Sequence, residues 1–88
     1  MTKQVIIVGR SKKTSDTDVD AVIWARTISL RVMAIRQAKN MTQQKLADLV
    51  GLTRTSIVNI EACRQAITLP GLYQIAKALG VPPKRLLP

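Results

Sequence analysis

The sequence predicts an all-α fold of five helices, preceded by a short N-terminal arm. Three observations support this prediction: apolar residues recur at spacings of three and four, Thr or Asp precedes four of these segments, and Gly follows two of them. A chain of 88 residues holds one domain. We therefore assign residues 1–18 to the arm and residues 19–88 to the helical domain.

The arm contains a short apolar segment and a basic cluster. Residues 5–8 are apolar and β-branched, which is typical of a β-strand, and Gly9 ends the segment. Because an isolated strand is unstable, this one should pair with a partner chain, pair with its copy in a dimer, or stay loose. Arg10, Lys12 and Lys13 follow. They can track a DNA groove or its phosphates, or form an untethered basic tail.

The first helix is predicted to begin at Asp16 or Asp18, either of which can cap it, and to run to about Lys39. Its first apolar stripe, expected to face the core, consists of Trp24, Ile28, Val32 and Ile35. A second stripe on nearly the opposite side consists of Val19, Ile23, Leu30 and Met33. The second stripe covers the strand, contacts another subunit, or consists of tolerated surface side chains.

Two short helices follow, joined through a glycine. The second helix spans residues 42–50 and the third spans residues 53–62, with Gly51 between them. The inner face of the second helix is predicted to consist of Leu46, Ala47, Leu49 and Val50. The residues expected to bury the angle between the two helices are Leu46, Val50, Leu52, Ile57 and Ile60. This arrangement predicts a helix-turn-helix, in which a small residue is needed where the helices cross and a glycine where the chain turns sharply.

The remaining segment predicts a fourth helix and a last helical turn. Thr68 caps the fourth helix and Gly80 ends it. Its buried stripe is predicted to consist of Leu72, Ile75, Ala76 and Leu79, and Leu86 and Leu87 of the last turn form a lid.

Residues from about 30 to 87 resemble the lambda-repressor/Cro-like, or Xre, family of helix-turn-helix domains. The resemblance rests on Thr42-Gln43-x-x-Leu46-Ala47, Gly51-Leu52-Thr53, Ile57-x-x-Ile60-Glu61 and Leu72-x-x-Ile75-Ala76-x-x-Leu79-Gly80-Val81. It implies a five-helix, DNA-binding transcriptional regulator that forms a dimer on palindromic operators. It also implies a structural ion pair between Arg36 and Glu61. Cys63 stands where the family usually has glycine, so we expect the loop to take another shape there.

In such a domain the third helix enters the major groove with its N-terminal end at the base edges. The candidate base-reading residues are Arg54, Thr55, Ser56, Asn59 and Gln44. The Arg54 guanidinium suits O6 and N7 of guanine, or it contacts only phosphate. The Asn59 amide suits adenine. The candidate phosphate-binding residues are Gln43, Thr53, Arg64 and Lys45. The charged ones among them can equally be ordinary solvated groups.

Composition excludes several other classes. Lys+Arg is 14 and Asp+Glu is 5, a net charge of +9 that favours a polyanionic partner over a merely solubilising surface. The chain has no His and one Cys, which argues against a zinc site, His-based catalysis and disulfides. We expect no enzyme activity, cofactor or metal. We also expect no membrane segment, because the apolar runs are far shorter than the ~20 residues that span a bilayer. The lone Cys63 favours a reducing cytoplasm, where we expect the protein to be nucleoid-associated.

The sequence therefore predicts a sequence-specific regulator that binds double-stranded DNA, most simply a dimeric repressor from a bacterium or a mobile element. Its dimer interface is expected at the second stripe of the first helix, at the N-terminal strand, or at both. The alternative is an antitoxin that binds a toxin through this strand and represses its own operon.

Overall fold

The structure, a computed structural model, describes residues 7–8 and 18–88. Its elements in chain order are β1 (Ile7–Val8), α1 (Asp18–Ala38), α2 (Gln43–Val50), α3 (Arg54–Glu61), β2 (Ile67–Thr68), α4 (Leu69–Leu79) and a 3₁₀ turn (Pro83–Arg85). The predicted all-α class is confirmed, and the fifth predicted helix is this single 3₁₀ turn. The basic arm residues Arg10, Lys12 and Lys13 lie outside the described residues.

Threonine caps begin three of the helices. In each case the hydroxyl accepts the backbone N–H three residues later: Thr42 from Lys45 at 3.0 Å, Thr53 from Ser56 at 3.0 Å and Thr68 from Gly71 at 3.1 Å. Each bond satisfies one of the N–H groups that a helix leaves unpaired at its start, and is worth roughly 0.5–2 kcal/mol. The predicted starts of α2, α3 and α4 therefore agree with the structure to within one residue.

Left-handed residues end the helices. Gly51 and Gly80 close α2 and α4 with φ of 73° and 74°, and Asn40 follows α1 with φ of 55°. Cys63 also adopts this conformation after α3, with φ of 60°. The expectation that the loop takes another shape at Cys63 is therefore wrong. The bond that depends on this conformation follows Cys63: the N–H of Arg64 donates to the Asn59 carbonyl at 2.8 Å.

A single buried cluster joins all four α-helices, β2 and the residue after the 3₁₀ turn. Its members are Ile28, Val32, Leu46, Ala47, Ile57, Ile60, Ile67, Leu72, Ile75, Ala76, Leu79 and Leu86. Most of the residues predicted to be internal from helical spacing are in this list. Leu86 is fully buried and Leu87 partly buried, as expected of the lid.

Three large apolar residues predicted to be internal are exposed. Trp24 is 46% accessible, and Leu49 and Leu52 are also exposed. In α1 the buried arc includes Ala25, Ser29 and Arg36 beside Ile28 and Val32, so it turns away from Trp24. Helical spacing identified the stripe, but it did not show towards which flank the core extends.

α1 is 21 residues long and carries apolar side chains on two sides. Three of the four residues of its second stripe are exposed, with Ile23 52% and Leu30 58% accessible, and Met33 is half-buried. Among the described residues, no helix is both long enough and apolar enough to cross a membrane.

The two short strands pair within the chain. β1 is antiparallel to β2, with Ile7 opposite Thr68 and Val8 opposite Ile67. The prediction that this strand pairs with another chain, pairs with its copy or stays loose is therefore wrong for the two residues described. Its partner is β2, the two residues directly before α4 in the same chain, a segment too short to be recognised as a strand from the sequence.

Candidate nucleic-acid interface

The N-terminal end of α3 is open to solvent on one side and anchored on the other. Thr53, Arg54 and Thr55 are exposed, while Ile57, one turn further along, is 0% accessible. α3 packs closely against α2, and Ala47 is also fully buried. The helix is thus held by its inner face while its first turn remains accessible to a large ligand.

A buried ion pair fixes the other end of α3. Arg36 Nε lies 2.6 Å from Glu61 Oε2, and Arg36 Nη2 lies 3.0 Å from Glu61 Oε1. The side chains are 10% and 3% accessible. This two-point geometry is the strong form of an arginine–carboxylate contact. Arg36 also donates from Nη1 to the Met41 carbonyl at 2.7 Å, so the pair links α1, the loop before α2, and α3.

Gln43, a predicted phosphate ligand, has its side chain turned towards this pair. Its Nε2 donates to Glu61 Oε1 at 3.0 Å and ties the start of α2 to the end of α3. Glu61 therefore accepts from two side chains, which satisfies a carboxylate that would otherwise be costly to bury. The side-chain N–H groups of Gln43 are partly committed to this structural contact.

Three further candidates, Gln44, Thr53 and Ser56, also have local partners. Gln44 Nε2 donates to Asp48 Oδ1 at 2.8 Å, one helical turn later. The Thr53 hydroxyl donates to Ser56 Oγ at 3.2 Å besides accepting the capping bond. Lys45 is exposed on α2.

Asn59 and Arg64 form a contact that the sequence did not predict. Arg64 donates to Asn59 Oδ1 from Nε at 3.3 Å and from Nη2 at 3.2 Å. Asn59 is half-buried on α3, and Arg64 is exposed in the following loop. A base-reading candidate and a phosphate-binding candidate are thus brought together.

A further missed residue is Ser29. Its hydroxyl is buried and donates to the Ile60 carbonyl at 2.7 Å, near the end of α3. The available signal was its position beside Ile28 on the core side of α1, where a polar side chain needs a partner. Ser29 and Arg36 together attach α3 to α1.

The exposed charge around α2 and α3 is mainly positive. Between residues 42 and 65 the basic residues are Lys45, Arg54 and Arg64, and the acidic ones are Asp48 and Glu61. Because Glu61 is buried against Arg36, three positive charges and one negative charge remain at the surface. Such a surface favours the approach of a polyanion. Among the described residues no cluster of three His, Cys, Asp or Glu side chains could hold a metal ion.

Comparison with known proteins identifies the family. A family model described as helix-turn-helix matches residues 32–86, which include α2, α3 and α4. The chain belongs to the helix-turn-helix family. Control protein C.BamHI from Bacillus amyloliquefaciens is 47% identical over 58 residues, which cover 65% of this chain and 72% of that protein. The immunity repressor protein of Bacillus phage phi105 is 36% identical over 55 residues, covering 62% of this chain and 38% of that protein.

A solved structure agrees with this assignment. The restriction-modification controller protein C.AhdI from Aeromonas hydrophila superposes with a TM-score of 0.69 and is 28% identical. The match covers 72% of this helix-turn-helix chain and 96% of that chain. The resemblance to the lambda-repressor-like family is confirmed, and with it the function class: a DNA-binding transcription regulator.

Proposed function

We propose that this regulator binds a palindromic operator as a dimer, with α3 of each subunit in the major groove. The observation that carries the proposal is the exposed first turn of α3, where Arg54 and Thr55 stand clear of a helix that is buried at Ile57. A helix anchored in this way can enter a groove without losing its packing. Its surroundings are positively charged, as contact with phosphates requires.

Within this arrangement each exposed group has a distinct proposed role. Arg54 reads guanine through O6 and N7, and Thr55 and Ser56 contact neighbouring bases or phosphates. Gln44 reaches a base beside α3. The Lys45 side chain contacts a DNA phosphate. The N-terminal ends of α2 and α3, at Gln43 and Thr53, also contact phosphates, because the backbone N–H groups there favour anions.

The relatives' names support a control function. They are a control protein, a restriction-modification controller and a phage immunity repressor. We propose that this chain likewise controls transcription of a small operon, its own gene included, at the nucleoid in the cytoplasm. The antitoxin alternative is less well supported, because β1 is already paired with β2 in its own chain.

The proposed dimer interface includes the exposed stripe of α1. Val19, Ile23 and Leu30 are all more than half accessible, and burying such a stripe against a copy would remove apolar surface from water. Light scattering at micromolar concentration should give the mass of two chains bound to one operator duplex. A mass of one chain on that duplex would show that the dimer is wrong.

A fluorescence-anisotropy titration tests the function. The wild-type chain and Arg54→Ala are titrated at two salt concentrations against the upstream DNA of the gene and against a scrambled duplex. We expect the wild type to prefer its own site by ~10³-fold or more. Arg54→Ala should lose about 1–3 kcal/mol on that site and little on the scrambled duplex.

Arg85→Ala is the matched control, because it removes the same charge from an exposed residue in the 3₁₀ turn. Equal, salt-sensitive binding of the wild type to both duplexes would contradict sequence-specific binding at that site. An equal loss for Arg54→Ala and Arg85→Ala would contradict the reading role of α3.

A further inference from the structure

The contact between Asn59 and Arg64 is organised by the backbone as well as by the side chains. The Asn59 carbonyl accepts the N–H of Arg64 at 2.8 Å and that of Gln65 at 3.2 Å. The left-handed conformation of Cys63 reverses the chain after α3, so that Arg64 returns over the last turn of the helix. The guanidinium then donates from two of its nitrogens to the one side-chain oxygen of Asn59.

This contact changes what Asn59 can offer to a base. To bind adenine in the usual two-point manner, the Asn oxygen accepts from N6 and the Asn nitrogen donates to N7. Here Arg64 donates to the side-chain oxygen of Asn59, so only the N–H groups of the Asn59 amide nitrogen remain available to a base. Arg64 itself has donors and no acceptor. What the pair leaves for a base is therefore the N–H groups of the Asn59 amide, with no free acceptor beside them.

Guanine has the complementary pattern in the major groove. Its N7 and O6 are both acceptors, whereas adenine pairs one acceptor, N7, with the N6 donor. A group that has only donors cannot accept the hydrogen bond that adenine N6 donates. An unmade hydrogen bond at a desolvated base edge is costly, so the same group discriminates against adenine.

We propose that Asn59 and Arg64 act as one donor-only reading unit, which selects guanine over adenine at the base pair facing the last turn of α3. Arg64 is a specificity-determining residue that acts through the side-chain oxygen of Asn59. The proposal rests on the proposed function, in which α3 lies in the major groove. It replaces the expectation that Asn59 suits adenine.

The test is selection from a randomised duplex library, followed by anisotropy titration of the selected site and its single base-pair variants. Wild type, Arg64→Ala, Asn59→Ala and the double variant are compared, with Arg85→Ala as the matched loss of one exposed arginine. We expect the wild type to favour guanine over adenine at one position of each half-site. In Arg64→Ala the oxygen of Asn59 is released, and the guanine-to-adenine preference there should fall or reverse by about 5- to 150-fold.

The double variant separates this mechanism from a direct contact by Arg64. In the Asn59→Ala background, adding Arg64→Ala should leave the base preference at that position unchanged, because Arg64 acts through Asn59. The proposal is overturned if Arg64→Ala weakens binding to every duplex alike and lowers the salt dependence, which is the signature of a phosphate contact.

Arg54→Ala in the same library distinguishes failure of this inference from failure of the proposed function. If Arg54→Ala alters base preference and Arg64→Ala does not, α3 reads DNA and the reading unit is wrong. If the wild type selects no sequence at all, the function and the inference both fail. Circular dichroism of each variant establishes that it is folded before binding is interpreted.

Discussion

The α2–α3 unit and α1 both carry apolar side chains, yet these side chains are buried to different extents in the two regions. In α2–α3 the caps at Thr42 and Thr53, the turn at Gly51 and the buried Ile57 all favour one arrangement. In α1 one side enters the core, while most of the opposite stripe, Ile23 included, is exposed. In α2–α3 many local sequence signals agree, whereas α1 has more apolar surface than the core of one chain buries.

The difference separates residues that specify the domain from residues available for assembly. The caps, the turn and the buried residues of α2–α3 support the same structure, which is what makes a short motif recognisable and stable. The exposed stripe of α1 contributes little to the core of one chain. The role of its apolar side chains therefore shows only when the stability of the single chain is compared with that of the self-associated form.

The largest expected effect comes from breaking the buried pair that attaches α3 to α1. Glu61→Ala leaves Arg36 buried without its carboxylate partner, so the loss should be about 3–5 kcal/mol. The whole domain should have a free energy of unfolding of about 4–13 kcal/mol, so at the lower end of this range the variant will be partly unfolded. Urea denaturation followed by circular dichroism measures this loss.

Asp48→Ala is the matched control, since Asp48 is an exposed carboxylate whose partner is Gln44. Its loss should lie within about 0.5 kcal/mol. Replacing both buried partners, as Arg36→Met with Glu61→Leu, should recover most of the stability, because no unpaired charge remains. Equal effects of Glu61→Ala and Asp48→Ala would show that the pair does not hold α3.

The second-largest expected effect is the loss of stability from an isoleucine-to-alanine substitution, compared between α3 and α1. Ile57→Ala removes a fully buried side chain and should cost about 2–5 kcal/mol at any protein concentration. Ile23→Ala, at a site that is 52% accessible, should cost less than about 0.5 kcal/mol in dilute solution. Thermal melts of both variants over a range of concentrations make the comparison.

If the α1 stripe forms the dimer interface, the effect of Ile23→Ala should grow with concentration, because association stabilises the wild type by mass action. That of Ile57→Ala should not. A large loss for Ile23→Ala in a monomeric sample would mean that Ile23 belongs to the fold of the single chain. The division between the two regions would then be wrong.

The sequence predicted the α2–α3 region closely and the surroundings less well. Helix starts followed from Thr42, Thr53 and Thr68, because capping depends on a few adjacent residues. Local spacing does not encode how distant segments meet. For this reason it predicted neither the exposure of Trp24 nor the pairing of Ile7–Val8 with Ile67–Thr68.

The same distinction applies to the candidate site. Exposure of Arg54 and Thr55 follows from the helical wheel, and the closeness of Arg36 and Glu61 was implied by family resemblance. The Asn59–Arg64 contact was not predicted, since it depends on the chain reversing at Cys63. The assignment of these residues to bases or phosphates stays a prediction until binding is measured.

The smallest expected effect concerns the two non-glycine residues with left-handed conformations in the part of the chain that the structure describes. Cys63 has φ of 60° and Asn40 has φ of 55°. Asn tolerates this region because its side chain can bond locally, whereas for Cys the cost is roughly 1–2 kcal/mol. Cys63→Gly relieves that strain but adds roughly 0.5–1 kcal/mol of chain entropy to the unfolded state. A net gain of about 0.5–1 kcal/mol, or a Tm increase of about 2–8 °C, is expected.

Two further variants isolate the backbone contribution at Cys63. Asn40→Gly should give no gain, because little strain is relieved there while the entropy cost is the same. Cys63→Ala keeps the Cβ and removes the half-buried sulfur, so it should be no more stable than the wild type. A gain in Cys63→Ala equal to that in Cys63→Gly would assign the effect to the sulfur. Stabilisation by Cys63→Gly alone assigns it to φ, the same backbone feature that brings Arg64 back over α3.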